Sequence, residues 1–238
     1  MNKKDFITNL RKDLIAAADP AFKESMQHYF KEPLTCYGLR NPHISAISKT
    51  YFNELKKESK VVIFDLCEDL FASGYFEESI IAAQWSEKMG KYTEPHDFVL
   101  FERWINKYIH NWATCDTLCN HTVGDVIMKF PELLPKVISW TTSSNRWVKR
   151  AAAVSLIVPA KKGLFLPEIK HIATALLIDK DDMVQKGYGW LLKAASQAHE
   201  QDIFDFVMSH KHHMPRTALR YAIEKMAPEL RQKAMAKD

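Results

Sequence analysis

At 238 residues, 47% of them hydrophobic, the chain can bury a sizeable core and fits one large domain or two small ones; a single elongated domain over 1–238 is the expectation. No stretch approaches the roughly 18 uninterrupted apolar residues of a membrane helix, which excludes a helical membrane protein. The formal charge of +4 is modest but uneven, since residues 1–140 carry 17 Lys+Arg against 19 Asp+Glu and residues 141–238 carry 16 against 10. That later excess suits a polyanionic partner, although an excess of this size is also common on solvated faces.

The start, Met1-Asn2-Lys3-Lys4-Asp5, has no apolar run behind it. Together with only four cysteines (Cys36, Cys67, Cys115, Cys119), it predicts a soluble, cytoplasmic protein with reduced thiols. Seven glycines and no Asn-Gly or Asp-Gly hairpin signal argue against strands. Helices should dominate. Phe6, Ile7, Leu10, Leu14 and Ile15 predict a helix over residues 4–18, and a second follows Pro20 over 21–31. Cys36 to Pro42 reads as a turn, with Gly38 free to take positive φ and Pro42 opening a helix to about Lys57.

Ile63, Phe64, Cys67, Leu70 and Phe71 trace a stripe over 60–73, closed by Gly74. Further helices are predicted at 76–89, 95–109, 113–129, 132–142, 145–158, 167–178, 181–197, 200–210 and 215–226, and the tail from Pro228 to Asp238 reads as a last, frayed helix. Such helix pairs cannot bury their apolar faces alone, so the expected fold is all-α, a curved α-solenoid of HEAT-like antiparallel pairs. Trp147-Val148-Lys149-Arg150 aligns with Met183-Val184-Gln185-Lys186 at a spacing of 36, and the segment from Met183 aligns with Met214-Pro215-Arg216-Thr217-Ala218-Leu219-Arg220 at 31. Lys149, Arg150, Lys186, Arg216 and Arg220 therefore fall in equivalent helices, where several could contact phosphates along a concave groove.

The segment Asn111-Trp112-Ala113-Thr114-Cys115-Asp116 puts Trp112 and Asp116 four apart, on one helical face. An aromatic plane beside a carboxylate is an odd core pair. Asp116 could instead cap a helix starting near Thr117. Trp85, Trp104, Trp140 and Trp147 read as core. Arg150 and Lys186 have a plain alternative as solvated helix positions. Cys115 and Cys119, with His110 and His121 nearby, lack the four convergent ligands and tight pairing of a structural zinc site, so no metal is expected. No base is identified that would make either cysteine a nucleophile. Lys211-His212-His213 reads as an exposed loop.

Over nearly its whole length the chain resembles the AlkD-like DNA alkylation repair family of HEAT-repeat DNA glycosylases. The similarity rests on Gly38-Leu39-Arg40-Asn41-Pro42, the Trp112-x-x-x-Asp116 pair, Trp147-x-x-Arg150-Ala151-Ala152 and Gln185-Lys186-x-x-Gly189-Trp190. The resemblance implies excision of N3- and N7-alkylated purines from duplex DNA without deep base insertion, by a monomer needing no cofactor. It further implies Asp116 as the catalytic carboxylate, Trp112 and Trp190 as aromatics flanking the deoxyribose, Arg150 as a backbone-binding arginine and Tyr29 as a further cleft aromatic. Ala113 departs from the family pattern, in which an acidic residue commonly follows the tryptophan. Two other readings stand beside this one: a non-catalytic HEAT-repeat module for damaged or branched DNA, and a protein-binding scaffold.

Overall fold

Asn2 caps the first helix by accepting from the backbone N–H groups of Lys4 and Asp5, and α1 (Lys3–Ala16) then buries Phe6, Ile7, Leu10 and Leu14, the residues at helical spacing. The same logic of cap and stripe recurs along the chain. The computed structural model describes residues 2–236, and no strand occurs among the described residues. Met1, Lys237 and Asp238, the ends of the predicted start and tail, lie outside them. Two compact units are present, Met1–Leu118 and Cys119–Asp238.

In the first unit, α2 (Pro20–Met26) is followed by a 3₁₀ turn over Gln27–Tyr29, then by α3 (Asn41–Leu55), α4 (Lys60–Ala72) and α5 (Phe76–Lys88). Two 3₁₀ turns, Gly90–Tyr92 and Pro95–Asp97, lead into α6 (Phe98–Tyr108) and α7 (Trp112–Thr117). Odd-numbered helices pack in succession, α1 on α3, α3 on α5 and α5 on α7, while α4 packs on both α5 and α6. Within these rows, Trp104 of α6 meets Phe64 of α4 edge-on at 5.7 Å and Phe71 at 5.2 Å, and Trp85 of α5 donates its indole N–H to the Ser48 carbonyl of α3 at 3.1 Å.

The second unit holds α8 (Gly124–Lys129), α9 (Leu134–Ser139), α10 (Arg146–Val154), α11 (Ile157–Lys161) and α12 (Leu166–Ala175), then α13 (Asp182–Ala195), α14 (Glu200–His210), α15 (Arg216–Ile223) and α16 (Pro228–Met235). Here α13 packs on α10, α11, α12 and α15. The three segments aligned at spacings of 36 and 31 are thus α10, α13 and α15, stacked in sequence order. Gly189 permits the close approach of α13 to α15: a Cβ there would stand 2.7 Å from Tyr221 Cβ and 2.9 Å from the Ala218 carbonyl oxygen. Helix stacked on neighbouring helix is the architecture of an α-solenoid.

One helix predicted as continuous changes type midway and another is broken. The stretch predicted over 113–129 is helical throughout, as α7, a π-helical turn over Leu118–Val123, and α8. The stretch predicted over 145–158 stops at α10, because Pro159 has no N–H for the Ser155 carbonyl and its ring would collide with that group. The carbonyl is approached by Gly124, where a Cβ would lie only 2.8 Å from it. Trp85, Trp104, Trp140 and Trp147 are all buried, as expected of core tryptophans.

Candidate functional site

The Gly38 turn anchors the first unit's candidate residues. Glu77 and Glu78 open α5 fully buried. The Glu77 carboxylate accepts from the backbone N–H groups of Tyr37, Gly38 and Leu39 at 2.9, 2.8 and 3.0 Å. Glu78 accepts two hydrogen bonds from the Arg11 guanidinium, at 3.0 and 2.9 Å, and one from the Tyr37 hydroxyl at 2.7 Å. Burial, reinforced by that carboxylate, pushes the Tyr37 hydroxyl well above its usual range. Gly38 takes φ +100°, and a Cβ there would stand 2.7 Å from the Asp19 carbonyl oxygen. Only glycine fits this approach. The turn is thereby fastened to the start of α2, with the Asp19 N–H donating to the Gly38 carbonyl at 3.2 Å.

From α2 the chain reaches Tyr29 and Phe30. The Gln27 side chain braces this segment, donating to the carbonyls of Phe30 and Glu32 and accepting from the Leu34 N–H. Phe30 rests edge-on against Phe76 at 5.6 Å and stacks on Trp112 at 5.5 Å with the ring planes 18° apart. Trp112 donates its indole N–H to the Tyr29 carbonyl at 3.1 Å. Residues 83 apart in sequence thus make one aromatic platform, with Tyr29 69% exposed at its edge.

Trp112 is the first residue of α7, and Asn111 caps that helix by accepting from the Thr114 N–H at 2.9 Å. Asp116 is therefore inside the helix, one turn beyond Trp112 and half-buried, and the capping role considered for it belongs to Asn111. The π-helical turn follows two residues later, a rare irregularity that recurs at functional sites. Cys115 and Cys119 are fully buried.

In the second unit, Arg150 on α10 is 5% exposed, and its Nη1 donates to the Met183 carbonyl at 2.6 Å. Gly187 makes room for it, since a Cβ at that position would be 3.3 Å from Arg150 Cγ. Lys149 pairs with Asp179 at 2.5 Å, Arg146 with Asp181 at 2.8 Å, and Lys186 with Asp182 at 3.1 Å. Three cations of this unit are thus held in ion pairs by the aspartates at the start of α13. Arg216 and Arg220 on α15 are exposed, and Trp190 on α13 is half-buried. The structure therefore joins Tyr29 with Trp112 in one unit and Arg150 with α13 in the other. Sequence reading missed Phe30, Phe76 and Glu77. Phe30 carried a weak signal, lying in the run His28-Tyr29-Phe30-Lys31.

The model of the DNA alkylation repair enzyme family matches residues 10–226. A solved structure titled a predicted DNA alkylation repair enzyme, from Enterococcus faecalis, is similar in fold with a TM-score of 0.80 at 17% identity, covering 89% of this chain and 97% of that one. No curated protein matches the chain in sequence.

Proposed function

The chain belongs to the DNA alkylation repair enzyme family, and from that premise we propose that it is a DNA glycosylase releasing cationic N3- and N7-alkylated purines from duplex DNA. The observation that supports this most is the first unit's platform, in which Trp112 is held by the Tyr29 carbonyl and the Phe30 ring with Asp116 one turn further along. Alkylation makes the purine a good leaving group. When the C1′–N bond breaks, both electrons leave with the base, whose positive charge is quenched, and the sugar becomes oxocarbenium-like. Water then adds at C1′ and gives up a proton.

In this reading Asp116 stabilises the cationic sugar and orients the water, as glycosidase carboxylates do. At about 4 Å and an effective dielectric near 20, such a charge pair is worth roughly 4 kcal/mol, or about a thousandfold in rate if it is felt only in the transition state. Trp112, and by resemblance Trp190, add cation–π attraction of roughly 0.5–2 kcal/mol. Arg150, Lys149, Lys186, Arg216 and Arg220 are assigned to phosphates; the two exposed arginines on α15 bear that assignment most directly. The chemistry calls for no cofactor, and a monomer with both units serving as one HEAT-like domain suffices.

The test is release of free N7-methylguanine and N3-methyladenine from methylated duplex DNA. Release well above spontaneous depurination is expected. Release at the spontaneous rate, with duplex binding retained, would instead favour a non-catalytic module for damaged DNA.

A further inference from the structure

We propose that the first unit carries a second nucleic-acid site, a cleft at α3 and α5 that binds a single strand through its phosphates and base faces. Two cavities of about 550 and 620 Å³ share Phe52, Lys56 and Lys88 as lining residues, so together they outline one extended cleft. None of these residues belongs to the Trp112–Asp116 platform.

An unsatisfied group lies in the wall of the smaller cavity. Ser48 is 1% exposed and lines that cavity, and its hydroxyl has no hydrogen-bond partner. Its carbonyl is already taken by the Trp85 indole N–H at 3.1 Å. A buried serine hydroxyl on a helix ordinarily bonds back to a carbonyl one turn earlier, so this one is left available for an acceptor in the cleft. A phosphate oxygen is such an acceptor.

The charges around the cleft are of the matching sign. Lys49, Lys56 and Lys88 line it and form no ion pair among the described residues. Glu58 and Glu87 also line the cavities, and Lys60 is committed to Glu94 and Asp97 at 2.9 and 2.7 Å, so the unpaired lysines supply the local excess. This basic cluster stands in the stretch of the chain whose overall balance is acidic.

Ring faces accompany the cations. Lys88 Nζ lies 5.5 Å from the Phe52 ring centroid and Lys91 Nζ 4.5 Å from that of Tyr92, which is 53% exposed. Cations and aromatic faces in one groove are the means by which proteins hold single strands, because an unpaired strand presents phosphates and base faces together while a duplex hides the faces. A free nucleotide shares the same chemistry. Two adjoining cavities that share three lining residues leave room for more than one nucleotide, which favours a strand.

The test is fluorescence anisotropy of a labelled oligothymidylate of about a dozen nucleotides at low salt. It contains neither purine nor duplex, so its outcome is independent of excision. Lys56→Glu/Lys88→Glu should weaken binding about tenfold or more and lower the salt slope by roughly 0.7 for each phosphate no longer neutralised. Lys161→Glu/Lys180→Glu, exposed lysines of the second unit, makes the same change in net charge and should cost far less. Ser48→Ala, which removes only the hydroxyl, should weaken binding by a few-fold with far-UV dichroism unchanged. Equal losses in the two charge-reversed variants, or no loss in the first, would overturn the site. Displacement of the oligomer by thymidine monophosphate at comparable nucleotide concentration would overturn the strand in favour of a free nucleotide.

Discussion

Trp112 is held from two directions, by a hydrogen bond from its indole N–H to the Tyr29 carbonyl and by a stack on Phe30, and these constraints fall to different parts of the side chain. Trp112→Phe keeps a ring for the stack and loses the hydrogen bond. It should cost about 1 kcal/mol in a urea melt. Trp112→Ala loses both and should cost about 2 kcal/mol, with excision falling about tenfold or more if the ring serves the sugar. Equal stability of the two variants would contradict the stack. At this scale sequence spacing reveals that Trp112 and Asp116 share a helical face, because the helical repeat is a local rule. It does not reveal Phe30 as the partner of Trp112, since the two rings come from distant segments and no local signal encodes their meeting. Asn111 as the cap was open to reading, with Asn followed three residues later by the N–H it accepts from, yet Asp116 competed for that role until the helix start was located at Trp112.

Among the elements, the turn around Gly38 depends on one carboxylate. Glu77→Ala would leave the N–H groups of Tyr37, Gly38 and Leu39 without their acceptor, and at about 1–3 kcal/mol for each buried orphan the loss should reach at least about 3 kcal/mol in denaturant unfolding. A loss under about 1 kcal/mol would show that the turn stands without it. Along the chain, Glu77 and Glu78 look like first-turn acids on a solvated helix end. They are buried because Tyr37 and Arg11 come from elsewhere in the sequence to meet them. The break after α10 was local, since Pro159 forces it at Ser155, while the π-helical turn over Leu118–Val123 comes with no proline and precedes Gly124. Periodicity alone runs through both irregularities.

For the molecule as a whole, the succession of helices was legible because apolar spacing, proline starts and short polar links agree with one another, whereas charge was legible as a balance for each stretch of chain and not as ion pairs. Lys149, Arg146 and Lys186, three of the cations after residue 141, are held in ion pairs by Asp179, Asp181 and Asp182. Acid stability follows from a different cluster. Burial would raise the Glu68 carboxyl, but hydrogen bonds from Arg103, Trp104 and Tyr108 outweigh it and hold the group below its ordinary value of 4.5. A depressed folded pKa stabilises above the ordinary value and is lost as pH falls through the folded one. The melting-temperature gap between wild type and Glu68→Gln should therefore be largest above pH 4.5 and shrink on acidification; a gap that grows toward low pH would contradict this. The central claim is that Asp116 is the carboxylate of an alkylpurine glycosylase. Its most direct test is single-turnover base release from methylated duplex DNA by wild type and by Asp116→Asn, with duplex affinity measured on the same preparations. The account predicts that the isosteric amide loses about two to three orders of magnitude in rate while binding DNA as before. Equal rates for the two proteins would contradict it.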